Sequence, residues 1–299
     1  MSEPQPQTPA PGTTGEAADW SLVLRPQTGW LELHLSDLWR YRDLTMLFVW
    51  RDFVSQYKQT ILGPLWNIIQ PLFTTLLFTL IFGHVARLST DGLPPMLFYM
   101  AGITCWNYFA ECLNRSSGTF IQNAGIFGKV YFPRLCVPVS IVISNIIKFA
   151  IQFALFLAFM VFFYAKGEQF HPNKLVLLTP VLLLIMAALG LGAGIIVSSL
   201  TIRYRDLQVL VTFGVQLLMY ATPVFLPLSG FPEKYRWLVL ANPMSALIDT
   251  FRYAFLGSGT GASTFAWTNL AYSAGATAVI LTIGILLFNR VERTFMDTV

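Results

Sequence analysis

Long apolar stretches alternate with short charged connections along most of the chain. A helix needs about 20 residues to cross the hydrocarbon core of a bilayer, which is about 30 Å thick. Six stretches are long enough, and they lie at residues 61–82, 93–110, within 135–164, 175–200, 207–225 and 268–288. The pattern therefore predicts an all-α integral membrane protein whose six transmembrane helices form one domain over residues 59–289.

An amphipathic segment precedes the first apolar stretch. Within residues 30–43, four large apolar side chains recur at the spacing of one helix face: Leu31, Leu35, Leu38 and Trp39. The segment is too charged to span a membrane. A helix lying in the membrane interface and a helix packed on a partner protein would both show this pattern. Residues 30–58 are thus predicted as a cytoplasmic amphipathic interface segment.

The two ends of the chain are polar. Residues 1–29 form a polar tail and lead-in that bears several prolines, and its first part is expected to be disordered because it cannot bury enough apolar surface. It lacks the basic region and apolar core of a cleavable signal peptide. Residues 290–299 follow the last apolar stretch. Loop lysines and arginines are richer on the side of the two ends, which predicts that both termini are cytoplasmic.

A short apolar piece separates the fifth and sixth stretches. Residues 237–248 are too few to span, and Asn242 and Pro243 interrupt them, because a residue before proline is disfavoured in the helical conformation. The piece predicts short re-entrant helices over about residues 228–256, or else a loop on the outer surface. Irregular backbone at membrane depth needs protein or a water-filled cavity around it.

The composition supports the membrane assignment and limits the chemistry. Charged residues make up 11% of the chain, against about 25% in soluble domains. Gly128 and Lys129 are followed by Val130 rather than by serine or threonine, so no P-loop for ATP is expected. The chain shows no metal-ligand spacing, no paired acids inside a stretch and no basic cluster for nucleic acid. We therefore predict no catalytic residue, no metal site and no cofactor on this chain.

Lys148 is the one ionised residue inside the third apolar stretch, and Glu111 and Arg115 are placed just past the second. Ion-coupled transporters usually carry several ionisable groups within the membrane, so a single lysine is weak support for that class. We expect Lys148 to lie in a cavity or to pair with a polar neighbour.

Six aromatic side chains are candidates for the wall of a transport pathway: Trp66, Phe73, Trp106, Tyr108, Phe109 and Tyr220. Aromatic residues at the ends of spans normally form the interfacial belt. The alternative is a pathway on which sugar rings slide, because these side chains offer apolar faces and, in part, polar tips.

Two further segments carry a packing or docking signal. The connection at residues 123–134 holds four large apolar residues beside two positive charges, which predicts an exposed docking surface or a short helix resting on lipid. Gly190, Gly192 and Gly194 give the fourth stretch a face of small residues, which allows close helix approach either within the chain or at a dimer seam.

Several short motifs, taken in order, resemble the membrane subunit of the bacterial ABC exporters for O-antigen, capsule or teichoic acid. They are LGPLW at 62–66, GKVYFPR at 128–134, TIRYRD at 201–206, ANPM at 241–244 and ERTFMDTV at 292–299. The resemblance implies a homodimer in the bacterial inner membrane that works with two copies of an ATP-binding subunit. ATP and magnesium would bind to that partner, and the cargo would be a lipid-linked polysaccharide moved from the cytoplasmic to the periplasmic side.

The resemblance also implies roles for particular residues. It implies that the residues contacting the ATPase are Leu35, Leu38 and Trp39, together with the connection residues Ile126, Phe127, Lys129, Tyr131, Phe132 and Arg134. It also implies that Trp237, Asn242 and Pro243 belong to a periplasmic gate. A permease of the same fold for a small lipid or drug stays open as an alternative, as does an ion-coupled secondary transporter. A membrane enzyme would need clustered acids that the sequence lacks.

Overall fold

The structure, a computed structural model, describes residues 35–127, 129, 132–201, 204, 206–257 and 265–298, with side chains described from residue 38 to residue 291. All regular secondary structure in this part of the chain is helical, as the apolar pattern predicts. The predicted disordered tail, the side chain of Leu35 and the whole of Tyr131 lie outside the described residues.

Eleven α-helices follow one another in the described residues. They are α1 Leu35–Arg40, α2 Arg42–Tyr57, α3 Trp66–Phe78, α4 Pro95–Ser117, α5 Thr119–Phe127, α6 Cys136–Ala165, α7 Thr179–Thr201, α8 Leu207–Tyr220, α9 Glu233–Ala241, α10 Pro243–Leu256 and α11 Trp267–Thr298.

Four helical segments in the described residues are long and apolar enough to cross a membrane: Gly63–Val85, Cys136–Ala165, Lys174–Thr201 and Trp267–Val291. They match the first, third, fourth and sixth predicted stretches. The helical membrane class is thus confirmed, whereas the count of six spans stays a prediction. The other two stretches correspond to α4, which is more polar than expected, and to α8, which is shorter than expected.

Helix α4 is the centre of the bundle, and it is more polar than a lipid-exposed span. It packs against α3, α6, α7, α8 and α10, and most of its side chains are buried. Glu111 and Arg115 lie within this helix rather than past its end, which corrects the predicted boundary. Because protein surrounds α4, charged side chains can find partners there that lipid would not supply.

Helix α8 ends at Tyr220, earlier than the predicted end of the fifth stretch. Its 14 residues reach about 21 Å, less than the hydrocarbon thickness. The chain then continues as irregular backbone, in which Val224 and Phe225 are buried. Phe225 packs on Phe78 at a ring-centroid distance of 4.7 Å. The missing length is therefore replaced by a buried loop that lies against other helices.

The small-residue face of α7 packs inside the chain. A Cβ at Gly194 would lie 2.9 Å from the carbonyl oxygen of Leu113 on α4. A Cβ at Gly192 would lie 2.8 Å from the Cα of Leu281 on α11, and a Cβ at Gly284 would lie 2.7 Å from the carbonyl oxygen of Gly192. The glycines thus allow α7 to approach α4 and α11 closely, which favours the intramolecular alternative over a dimer seam.

We expect Gly284→Leu to lower stability by about 3 kcal/mol, because a side chain there must displace the backbone of α7. Gly275 provides a matched control on the same helix, since no described atom lies within 4 Å of a Cβ built there. Thermal unfolding of the purified variants in detergent measures the difference. Equal melting temperatures for Gly284→Leu and Gly275→Leu would contradict the close approach of α7 and α11.

The interface segment folds as two helices rather than one. The helix predicted over residues 30–43 is described from Leu35 and ends at Arg40, and α2 begins after Tyr41. Helix α2 buries Phe48 and Asp52 against the bundle while Met46 and Trp50 on its other face are exposed. The amphipathic character therefore extends along α2, which is the longer of the two helices.

Candidate functional site

An elongated cavity of about 480 Å³ lies between α3, α4, α6 and α8. Its wall runs along α3 from Trp66 to Phe78, which corresponds to about 18 Å of helix axis. Helix α8 lines it as far as Tyr220. The cavity is thus long and follows the direction of the helices.

Four of the six predicted lining aromatics lie on this cavity: Trp66, Trp106, Tyr108 and Tyr220. The other two do not. Phe73 is exposed on α3, and Phe109 is buried against Trp106 at a ring-centroid distance of 5.3 Å. The structure therefore brings aromatics from three helices together on one wall, and their contact with a substrate stays a prediction.

Sequence reasoning missed a set of amide side chains on the same wall, which comprises Asn67, Gln70, Asn107, Asn114, Asn145, Gln152 and Gln216. The Nδ2 of Asn107 donates to the Oε1 of Gln152 at 3.3 Å. A signal for them exists in the sequence, because Asn145, Lys148 and Gln152 recur at helical spacing inside an otherwise apolar stretch.

Lys148 lies in this cavity and is paired with Glu111. Its Nζ lies 3.2 Å from the Glu111 Oε2, and the exposed fractions of the two side chains are 12% and 46%. The expectation that Lys148 lies in a cavity or pairs with a polar neighbour is confirmed in both respects. The two opposite charges compensate each other on the cavity wall.

A second group of charges connects the interface segment to the cavity wall. Asp52 on α2 is buried and pairs with Arg115 on α4, at 3.4 Å between Oδ2 and Nη2, and with its neighbour Arg51 at 2.9 Å. The Nη1 of Arg115 also donates to the Oδ1 of Asn145 at 3.4 Å. One carboxylate thus links α2 to α4, and through Arg115 to α6.

The exposure expected of Phe127 and Phe132 in the 123–134 connection is wrong. Phe127 and Phe132 are only 2% and 5% exposed, because they pack into a cluster with Phe48, Phe120 and Phe288. The rings of Phe127 and Phe132 lie 5.8 Å apart, and Phe132 lies 5.5 Å from Phe48 on α2. These side chains hold the connection to α2 and α11 rather than presenting an apolar surface.

The other predicted ATPase contacts divide between surface and interior. Lys129 and Trp39 are exposed, Leu38 and Ile126 are partly buried, and Arg134 is buried with its guanidinium 5.4 Å from the centre of the Phe127 ring. Of the predicted contact residues whose side chains are described, Lys129 and Trp39 are therefore the ones exposed to a partner.

The predicted gate residues lie in a hairpin of two short helices. Asn242 separates α9 from α10, and its Oδ1 accepts a hydrogen bond from the Met244 backbone at 3.0 Å. Pro243 opens α10, where a missing N–H costs little. Trp237 on α9 is exposed. The interruption at Asn242 and Pro243 is thus confirmed, and the gating role stays a prediction.

Arg252 lies on α10, within the segment predicted to be re-entrant. Its side chain is buried and donates hydrogen bonds to the backbone carbonyls of Phe98 at 3.1 Å, of Val224 at 2.9 Å and of Pro223. Its guanidinium also lies 3.7 Å from the centre of the Phe98 ring. Arg252 thereby joins α10 to α4 and to the loop that follows α8.

Comparison with known proteins places most of the chain in one family. Residues 43–256 match the sequence profile described as ABC-2 type transporter. The O-antigen export system permease protein RfbA of Klebsiella pneumoniae is 29% identical over 256 residues, which cover 85% of this chain and 94% of the relative. RfbA of Myxococcus xanthus is 30% identical over 221 residues, which cover 73% and 82%.

The polysialic acid transport protein KpsM of Escherichia coli is 25% identical over 250 residues, which cover 83% of this chain and 93% of the relative. The matched profile includes every helix that lines the cavity and ends at the last residue of α10. With several apolar helices of spanning length, this chain is a multi-pass membrane protein, and it belongs to the ABC-2 type transporter family.

Proposed function

We propose that this chain is the transmembrane subunit of an ATP-driven exporter, which moves a lipid-linked polysaccharide of the O-antigen type from the cytoplasmic to the periplasmic side. The observation that carries this proposal is the elongated cavity with aromatic and amide side chains on its wall. Aromatic faces pack against the apolar faces of sugar rings, and amides bond to hydroxyl groups. Relatives named for O-antigen export and polysialic acid transport support the same cargo class.

The proposed topology has six spans, with α4 and α8 as the second and fifth. Both termini lie in the cytoplasm, and the chain resides in the bacterial inner membrane. The α9–α10 hairpin re-enters the membrane from the periplasmic side as a gate. Arg252 supports this placement, because it donates to the carbonyl groups of Pro223 and Val224, which belong to irregular backbone and could not remain unbonded at membrane depth.

The proposed assembly is a homodimer of this chain with two copies of an ABC ATPase, which holds the ATP and magnesium. Three apolar side chains of α8 are exposed, namely Val209, Leu210 and Phe213. A second copy of the chain or lipid would cover them. Lys129 and Trp39 are exposed at the proposed cytoplasmic side and are suited to contact the ATPase. This chain would then supply the pathway while its partner hydrolyses ATP.

We expect the chain and its ABC ATPase to leave a sizing column together in equal stoichiometry, and Lys129→Glu to weaken that association by about tenfold. Reversing an exposed charge at an interface places like charges together and lowers the affinity. Lys174→Glu is the matched control, because Lys174 is also exposed but lies in the connection before α7, at the proposed periplasmic side.

Phe127→Asp should behave differently from Lys129→Glu. Because Phe127 is buried among other aromatic rings, we expect this variant to reduce the yield of folded protein. Undiminished association of Lys129→Glu would contradict the docking role of that surface. A folded wild-type chain that never binds an ABC ATPase would overturn the exporter assignment.

A further inference from the structure

Resting on the proposed function, we propose that the cavity selects an uncharged polysaccharide over an anionic one, and that Glu111 sets this preference by holding Lys148. Family membership does not decide the charge of the cargo. The distribution of charged and amide groups on the cavity wall does favour one class.

The cavity wall carries no uncompensated charge among its described lining residues. Glu111 and Lys148 are the only acid and the only lysine or arginine in that set, and they lie 3.2 Å apart. Arg115 is the nearest further cation along α4, and it is already engaged by Asp52 and Asn145. No described cation on the wall is therefore left to neutralise a carboxylate or phosphate on each sugar unit.

The amide groups of the wall suit neutral sugars. A hydroxyl both donates and accepts a hydrogen bond, and each asparagine or glutamine side chain offers both functions in return. Seven such side chains line the cavity, against one lysine and one carboxylate. A carboxylate offers acceptors only, so it can use the N–H groups of these amides but leaves their carbonyl oxygens without a donor.

Glu111 supplies the repulsive element that selectivity needs. Discrimination between two ligands is strongest when the site disfavours the wrong one as well as fitting the right one. The Glu111 side chain is 46% exposed, whereas Lys148 is 12% exposed, so the carboxylate is the more accessible member of the pair. The Glu111 carboxylate would repel the negative groups of an anionic polymer. Those groups would also lose their hydrating water without gaining an unpaired cation in return.

The test uses the full-length chain in nanodiscs and follows tryptophan fluorescence, because Trp66 and Trp106 lie on the cavity wall. The two probes are maltohexaose, which is neutral, and a hexamer of α-2,8-linked sialic acid, which carries six carboxylates. We expect wild type to bind maltohexaose at least about tenfold more tightly at equal ionic strength. The comparison of the two probes on wild type needs no variant and stands even if a variant folds poorly.

The variants assign the preference to the ion pair. Glu111→Gln should release Lys148 and raise the affinity for the sialic acid hexamer about tenfold, in a manner that weakens with added salt. The effect is read as the ratio of the affinities for the two probes, and this ratio should shift about tenfold towards the sialic acid hexamer relative to wild type. Adding Lys148→Gln should remove the gain. Glu168→Gln is the control, because Glu168 is exposed and lies outside the cavity lining.

The outcomes separate the preference from the proposed function. Equal binding of both probes by wild type, or no gain in Glu111→Gln, would overturn the preference and leave the polysaccharide pathway standing. Binding of neither probe by a folded chain that still associates with its ATPase would overturn the preference and the assignment of this cavity to the polymer. Failure to associate with any ABC ATPase would contradict the exporter function itself.

Discussion

Replacing Arg252 with methionine is expected to leave little folded protein, because one side chain joins three separate parts of the bundle. Its guanidinium donates to the backbone carbonyls of Phe98 on α4 and of Pro223 and Val224 in the loop after α8. The group is also stacked on the Phe98 ring at 3.7 Å. Methionine fills a similar volume but satisfies none of these carbonyl oxygens.

The expected loss of stability follows from the unsatisfied acceptors. A buried polar group that loses its partner costs about 1–3 kcal/mol, and more if the partner was charged. The Phe98 carbonyl lies within α4 and keeps its helical hydrogen bond, so the loss comes from the two loop carbonyl groups of Pro223 and Val224. Together they correspond to about 4 kcal/mol, which is close to the whole stability of a marginally stable protein. The loop after α8 should detach first, since its backbone is irregular and Arg252 bonds to two of its carbonyl groups.

Thermal unfolding and the monodisperse yield in detergent measure this effect. Arg236→Met is the matched control, because Arg236 is a partly exposed arginine in the same hairpin. Arg252→Lys should recover only part of the loss, since an ammonium group cannot reach several carbonyls in the fork geometry of a guanidinium. Normal yield and unfolding temperature for Arg252→Met would show that these hydrogen bonds contribute little.

The contact between Arg252 and α4 also depends on Gly102. A Cβ built at Gly102 would lie 2.5 Å from Arg252 Nη2 and 3.3 Å from the Cα of Val224. The glycine therefore leaves the space that the guanidinium occupies. A methyl group there must move either the arginine or the loop backbone, so packing on α4 and the buried hydrogen bonds depend on each other.

The helix boundaries that could be predicted from the sequence are those set by local chemistry. The break at Asn242 and Pro243 follows from proline geometry and an asparagine cap, both of which act over a few residues. The segments that form α6, α7 and α11 are predicted because long stretches of high hydropathy, broken in α6 only by Lys148, are typical of membrane-spanning helices. These features need no knowledge of the rest of the fold.

The boundary of α4 was misplaced because its charges are compensated by distant partners. Glu111 pairs with Lys148, which is 37 positions away, and Arg115 pairs with Asp52, which is 63 positions away. In a hydropathy pattern, charged side chains such as these mark the end of an apolar stretch. In the folded chain, each of them lies beside a residue of opposite charge. The same limitation hid the amide wall of the cavity, which is assembled from four helices.

The buried state of Phe127 and Phe132 was also set by distant neighbours. An apolar residue beside glycine, proline and charge is typical of a docking surface, and the sequence does not reveal that these rings belong to one buried cluster with Phe48, Phe120 and Phe288. Lys129 lies between them in the chain and is exposed. Burial within a connection is thus decided by the elements that pack on it.

Asp52→Asn is expected to lower stability by about 2 kcal/mol and to loosen the interface helix α2 from the bundle. The Asp52 carboxylate is buried between Arg51 and Arg115, and Arg115 carries the link onward to Asn145. Breaking a buried ion pair costs about 3–5 kcal/mol, because the remaining charge loses its partner. We expect a smaller cost here, since the Arg115 side chain is 30% exposed and can recruit water.

Asp43→Asn is the matched control on the same helix. Asp43 pairs with Arg42 at 3.7 Å, and both side chains are exposed, so this pair should contribute less than about 1 kcal/mol. Equilibrium unfolding of the purified chain compares the two substitutions. Equal effects of Asp52→Asn and Asp43→Asn would contradict a buried charge link between α2 and α4.

A double-mutant cycle with Arg115→Gln decides whether the link itself, rather than a general disturbance, causes the loss. If Asp52 and Arg115 act as a pair, the double variant should be more stable than the sum of the single losses predicts, by about 1 kcal/mol or more. Strict additivity would mean that the two residues act separately. Coupling would matter beyond stability, because Asn145, the next partner of Arg115, lies on the cavity wall. Movement of α2 would then reach the cavity wall through the side chains of Asp52, Arg115 and Asn145.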